Sequence, residues 1–304
     1  LADEEGLIGR ECPVSQCEGY FKIKPGTGLK GKNLPCHCPY CGHQAIAKNF
    51  YTKAQIAYAK SVVLGQVSEA LIASFKSLEF HQPPSGRSGI GISLQVTGAK
   101  PVPIRYYREK DLETNVVCDR CTLRYTIYGV FGFCPDCAVH NSLQILKNNL
   151  QLIEKILDIA TTHDANVGDH LVENALEDCV STFDGFGRET CRVFASKAVN
   201  PSKAAQIKFQ NISGARDRVR DQFGFDFSAC LAVQDWDLVH RAFQKRHLLA
   251  HSMGVIDADY LSSTGDASVP LGRKVSVNNS EVHELVQRLL TVGGALVHGL
   301  ESLP

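Results

Sequence analysis

Apolar residues change their period twice along this chain of 304 residues. Over 51–80, Ile56, Val63, Val67, Leu71 and Phe75 recur at helical spacing and predict one long connecting helix. The stretch 81–91, HQPPSGRSGIG, is rich in Pro, Gly and Ser and reads as a linker. Beyond it Ile90, Ile92, Leu94 and Val96 alternate with small or polar residues, the period of a strand, and 102–107 reads as another strand. From about residue 141 the helical period returns and persists. Leu146, Leu150, Ile153 and Leu157 mark a helix within 143–160, and 169–196 reads as a second. A third spans 235–253 and closes near Gly254. The last spans 281–300, opened by the capping residues Asn278, Asn279 and Ser280 with Glu281 just inside. Segment 198–227 is broken by polar clusters, and 262–274 is a Ser/Gly-rich loop.

One residue breaks this pattern. In WDLVHRAFQKRHLLAHSMG the apolar stripe runs through Val239, Phe243 and Ala250, and position 246 falls inside it, yet it is an arginine. A guanidinium stays charged and is costly to bury alone, so Arg246 requires an anion: a carboxylate of this chain, a second subunit, or a phosphate. His247 follows it directly, and His251 lies four residues on, on the same face as His247, with His240 near that line. Histidine pairs of this spacing bind metal in HExxH helices, but Leu248 stands where that motif has its glutamate.

The twelve cysteines add a second kind of chemistry. Nine precede residue 140 and most fall in close pairs, which argues for metal binding rather than a disulfide scaffold. Cys118-x2-Cys121 and Cys134-x2-Cys137 flank a β-rich, Gly-bearing stretch, so a hairpin brings four thiolates to one zinc ion. The other set is Cys12-x4-Cys17 with Cys38-x2-Cys41, with Cys36 as an alternative to Cys38. Four-cysteine sites leave no open coordination position, so both ions are expected to be structural. The remaining Cys179, Cys191 and Cys230 read as buried, inert thiols.

Charge excludes little: 32 basic residues balance 32 acidic ones. The local distribution says more. From Gly19 to Ser68 there is no acidic residue, while Lys22, Lys24, Lys30 and Lys32 are joined by Lys48, Lys53 and Lys60, with Phe21, Tyr40, Phe50 and Tyr51 among them. Lysines follow phosphates and aromatic rings stack on unpaired bases, so this segment is a candidate nucleic-acid face. No apolar run reads as long enough to span a bilayer, the best being Leu289–Leu300, and LADEEG at the start lacks a signal-peptide pattern. A cytoplasmic setting without membrane contact is the expectation.

The helical part, about 141–304, resembles the HEPN family of small helical domains. The resemblance rests on Arg246-His247-Leu-Leu-Ala-His251, an Arg-x4-His motif with a polar residue after the Arg, and on the glycine break followed by Val-Ile-Asp. FDGFGR at 183–188 and the final helix also match. Many active members carry Asn after the motif histidine, where this chain has Ser252. The resemblance implies a metal-independent endoribonuclease acting as a homodimer, with two motif helices forming one composite cleft. It also implies a toxin-like or antiviral effector, with a regulatory protein or larger defence complex as further partners. In that chemistry Arg246 holds the phosphate, His251 transfers protons and His247 positions either. Glu173, Glu177 and Glu189 are the candidate carboxylates to anchor the motif. The alternative is a non-catalytic dimeric scaffold binding nucleic acid or protein. The expected architecture is α+β: a first zinc-ribbon module over 1–50, a connecting helix over 51–80, a β segment with the second ribbon over 81–140, and an all-α HEPN-like bundle over 141–304.

Overall fold

The computed structural model describes residues 2–28, 35–82, 92–95 and 102–304. The fold is α+β, and the chain divides into two compact units, Leu1–Val139 and His140–Pro304. The first contains β1 (Ile8–Glu11), β2 (Tyr20–Ile23), β3 (Pro35–His37), β4 (Gln44–Ile46), α1 (Lys53–Lys76), β5 (Phe80–Gln82), β6 (Ile92–Leu94), β7 (Thr114–Val117) and β8 (Arg124–Ile127).

The two cysteine modules, far apart in sequence, share one antiparallel sheet of order β1-β2-β8-β7. Lys22 pairs with Thr126 and Ile23 with Tyr125 at the join. Small modules cannot build a core alone, and here the sheet pools their apolar residues. Phe21, Phe50, Tyr125 and Ile127 are fully buried together with most of the cysteines. Phe21 and Phe50 meet edge to face, with ring centroids 5.8 Å apart.

Helix α1 begins at a capping box in which Thr52 and Gln55 satisfy each other's amides. It corrects the expectation about bilayer length. Its 24 residues are long and apolar enough to cross a membrane by length and composition, and only 6% of its most apolar window is buried. Ser, Gly and Gln interrupt any continuous apolar run there while leaving the mean hydropathy high. Segment 102–107 is not a strand. Its side chains alternate, but Pro103 has no amide to give a ladder. Instead the segment lies along α1, where the Arg105 amide donates to Ser61 Oγ (2.9 Å) and Tyr106 and Tyr107 pack on Tyr58. The alternation at 90–96 appears as β6, paired with β5 at the start of the expected linker. Residues 90, 91 and 96 lie outside those described.

The second unit holds α2 (Ser142–Ala160), α3 (Ala165–Val193), α4 (Pro201–Ala204), α5 (Ile212–Phe223), α6 (Val233–Ser252), α7 (Ala258–Thr264) and α8 (Asn279–Glu301). Leu146 and Leu150 of α2, Phe183 and Phe186 of α3, Phe243 of α6 and Leu289 and Leu296 of α8 share one core. FDGFGR supplies the centre of the buried face of α3. Gly187 lets the Phe209 ring approach so closely that a Cβ would stand 2.6 Å from it. The buried Asp184 carboxylate accepts the Phe209 amide at 2.6 Å. Helix α6 ends in two left-handed residues, Met253 (φ 52) and Gly254 (φ 77), one residue earlier than Gly254 alone suggests. The short α7 has a legible cap in Asp257, which accepts the Tyr260 amide, and Tyr260 is buried.

Candidate functional site

The sulfurs of Cys12, Cys17, Cys38 and Cys41 converge, as do those of Cys118, Cys121, Cys134 and Cys137, each set within 4.8 Å. Sulfur–sulfur separations are 3.7 Å for Cys12–Cys41 and Cys17–Cys38. They are 3.6 Å for Cys118–Cys137 and 3.4 Å for Cys121–Cys134. These pairs are far too long for disulfides. Four sulfurs in a tetrahedron at about 2.3 Å from a zinc ion stand about 3.8 Å apart. The donor sets therefore fit one tetrathiolate ion each, consistent with structural zinc. Cys36 is outside the first set: it sits within β3, and its thiol donates to the His37 carbonyl.

Local backbone geometry explains why these spacings work. The residue after the second cysteine of each pair is left-handed: Glu18 (φ 42), Gly42 (φ 69), Thr122 (φ 62) and Ala138 (φ 60). That reversal turns the amides of Gly42, Thr122 and Ala138 back onto the carbonyls of Cys38, Cys118 and Cys134. Only one of the four is glycine, so the conformation is imposed on residues that resist it. Burial pushes the Cys12 thiol up to about 11 and the Cys121 thiol up to about 12, and raises Cys38 and Cys134 as well. At Cys41 and Cys118 burial acts in the same direction, but amide and thiol hydrogen bonds to the sulfur outweigh it and the net shift is downward. A bound cation would supply the charge that makes all four thiolates of a set tolerable at once.

Helix α6 places the second group. Arg246 is turned toward α3, its side chain only 13% exposed, and its terminal nitrogen contacts Glu177 at 3.4 Å. Its Nε is buried without a partner among the described residues. The anion demanded by the sequence is thus, in the isolated chain, a carboxylate of this chain, and one that is itself half exposed. His247 and His251 are exposed, with ring centroids 4.7 Å apart. Arg246 and His251 point to different sides of the helix, as a separation of about 140° requires. His240 stands apart from this pair: its two nitrogens lie 3.1 Å from the hydroxyls of Ser213 and Ser263, which accounts for both. Glu173 pairs with Lys274 at 2.9 Å, a contact spanning 101 residues that sequence spacing does not reveal. Glu189 is engaged by Arg192 through two hydrogen bonds and faces His140 at 3.8 Å, so it does not anchor the motif.

The basic segment is reshaped by the fold. Lys22 is 6% exposed and bonded to Asp3 at 2.7 Å, so it is not a surface phosphate contact. Strand β2 points it inward, where the N-terminal turn covers it. Phe21 and Phe50 are core residues and Tyr40 packs, partly buried, against that core, whereas Tyr51 is 49% exposed with the Arg10 guanidinium over its ring. Lys24 borders a cleft with Asn115, Arg124 and Thr126. Lys30 and Lys32 lie outside the described residues. Among the remaining thiols, Cys179 and Cys191 are buried, whereas Cys230 is exposed because it sits in a single turn before α6.

Comparison with family models, characterised proteins and solved structures finds no match for this chain.

Proposed function

We propose that the helical unit is a HEPN-type endoribonuclease that works as a homodimer without a catalytic metal, and that each cysteine cluster holds one structural zinc ion. The observation that carries the ribonuclease proposal is the state of Arg246. It is a nearly buried guanidinium with an orphaned Nε and one long contact to a half-exposed carboxylate, beside two exposed, adjoining imidazoles. A phosphate can displace Glu177 and take two guanidinium donors, which a single 3.4 Å contact leaves available. One imidazole accepts the proton of the ribose 2′-hydroxyl as that oxygen attacks phosphorus. A second proton donor neutralises the departing 5′-oxygen, leaving a 2′,3′-cyclic phosphate and a 5′-hydroxyl. His251 is assigned the proton transfers, Arg246 the phosphate and His247 the positioning. Because Arg246 and His251 diverge on one helix, two copies of α6 are needed to bring both to one phosphate.

The test is RNA cleavage without added divalent metal by wild type, Arg246→Ala, His251→Ala and Glu177→Gln. Cyclic-phosphate products from wild type and Glu177→Gln, with both other variants folded and inactive, support the proposal. Equal behaviour of all four proteins overturns it. The Arg246–Glu177 ion pair favours a second reading, a non-catalytic scaffold in which the pair is structural. In that case no protein cleaves RNA, and Arg246→Ala and Glu177→Gln lower thermal stability alike.

A further inference from the structure

Helix α1 has one covered side, which is largely polar, and one apolar side that no described residue covers. The covered side carries Tyr58 and Ser61 under the segment containing Arg105. Opposite it, Ile56, Val63, Val67 and Leu71, with Leu78 in the turn that ends the helix, are 43–60% exposed. Leu64 and Phe75 widen one rim of this stripe and are 57% and 53% exposed. An exposed apolar stripe of this length belongs in a bilayer or against another chain.

Three features decide between these. First, the stripe is straight. Including the exposed Lys60 and Ser74, seven positions from 56 to 78 follow one another at about 3.7 residues per step, so they stay within roughly 80° of arc. Second, the stripe reads the same in both directions about Val67. The intervals are 4, 3, 4, 4, 3 and 4, and the order is apolar, polar, apolar, apolar, apolar, polar, apolar. A two-fold contact demands this: residue i must meet j wherever j meets i. An antiparallel pair centred on Val67 sets Ile56 against Leu78, Val63 against Leu71, and Lys60 against the Ser74 hydroxyl. A parallel pair would set Lys60 against Lys60. Third, the area suffices. Half of roughly 170 Å² for each of seven large apolar residues gives about 600 Å² per copy and about 1,200 Å² per pair, the lower edge of specific interfaces. A bilayer-spanning role fits poorly, because the opposite side already carries the Arg105 backbone and Glu69.

We propose that α1 pairs antiparallel with α1 of a second copy of this chain, through the stripe centred on Val67. This is independent of the ribonuclease proposal, since it involves the first unit alone.

The decisive experiment replaces Phe75 with benzoyl-phenylalanine in the full chain and irradiates it with and without vesicles of anionic phospholipid. Mixed isotope labelling identifies interchain adducts by mass spectrometry. The expected product joins position 75 to residues 56–63 of the other copy. Val67→Glu sets two carboxylates together at the two-fold axis and should weaken pairing by at least about 100-fold, with zinc content and circular dichroism unchanged. Ser74→Glu sets a carboxylate opposite Lys60 twice per pair and should tighten it about threefold to fivefold. An adduct to residues 71–79 of the other copy, to lipid, or to residues 83–101 of the same chain overturns the proposal. So does the absence of an interchain adduct, even if the protein remains dimeric through its helical unit, and so does a Ser74→Glu variant that pairs more weakly.

Discussion

Stripping the metal from the intact protein should unfold residues 1–139 and leave residues 140–304 folded. In the first unit Phe21, Phe50, Tyr125 and Ile127 cluster with seven of the eight candidate ligand cysteines, and the four sulfurs of each set converge where a cation would hold them together. A structural zinc ion contributes about 10–16 kcal/mol of apparent binding free energy at pH 7. Whole domains are stable by only about 5–15 kcal/mol, so loss of either ion removes an amount comparable to the unit's whole stability. The second unit has its own core, to which α2, α3, α6 and α8 contribute and which holds no metal-ligand cluster among the described residues. The sole tryptophan, Trp236, packs on Phe227 in that unit and reports on it alone. A strong chelator should release two zinc ions per chain to a colorimetric indicator and make the first 139 residues sensitive to trypsin. The emission of Trp236 should not change, and a resistant fragment starting near His140 should remain. Metal-free protein that keeps trypsin resistance across the first unit would refute the reasoning, as would a Trp236 signal that collapses with the zinc.

Further outcomes are expected in the helical unit. Gly187→Ala should destabilise it by about 2 kcal/mol despite the better helix propensity of alanine, because the new methyl meets the Phe209 ring; urea titration checks this. Asp184→Ala should cost about 3 kcal/mol by stranding the Phe209 amide, and Asp184→Asn markedly less, because it retains an acceptor; paired thermal melts compare them. His140 is buried, and burial lowers it to about 4 in spite of nearby Glu189. Its unfolded value is about 6.5. The unfolded chain therefore binds the extra proton between these values, so stability is full above pH 6.5 and falls as the pH drops toward 4, by up to about 3 kcal/mol. The His140→Gln variant should show a flatter pH profile of urea midpoints over that window.

The two four-cysteine clusters are legible in the sequence because their information is local. A Cys-x2-Cys turn fixes two ligands by itself, and Cys36 is set aside only by its place inside the paired strand β3. The helices of the second unit are legible because their apolar stripes face a core. Contacts that close over long distances are not legible. Arg246 announces that it needs an anion, but Glu177 is 69 residues away and is one of three carboxylates on α3 with an equal claim from spacing. Lys22 looks like a surface cation until β2 is seen under the N-terminal turn with Asp3. Segment 102–107 has strand alternation, but its proline and its partner helix decide otherwise.

The junction between β2 and β8 has a consequence for biosynthesis. The paired residues Lys22 and Thr126 are 104 positions apart. At about 5–20 residues per second, a ribosome adds that length in roughly 5–20 s. Once Cys41 has been added, for most of that interval the growing polypeptide carries the four sulfurs of the first set and an open strand edge whose β8 neighbour is not yet made. Metal capture by the leading cluster would cap those sulfurs before the second half of the sheet exists, and slowing elongation between the two halves lengthens the exposure.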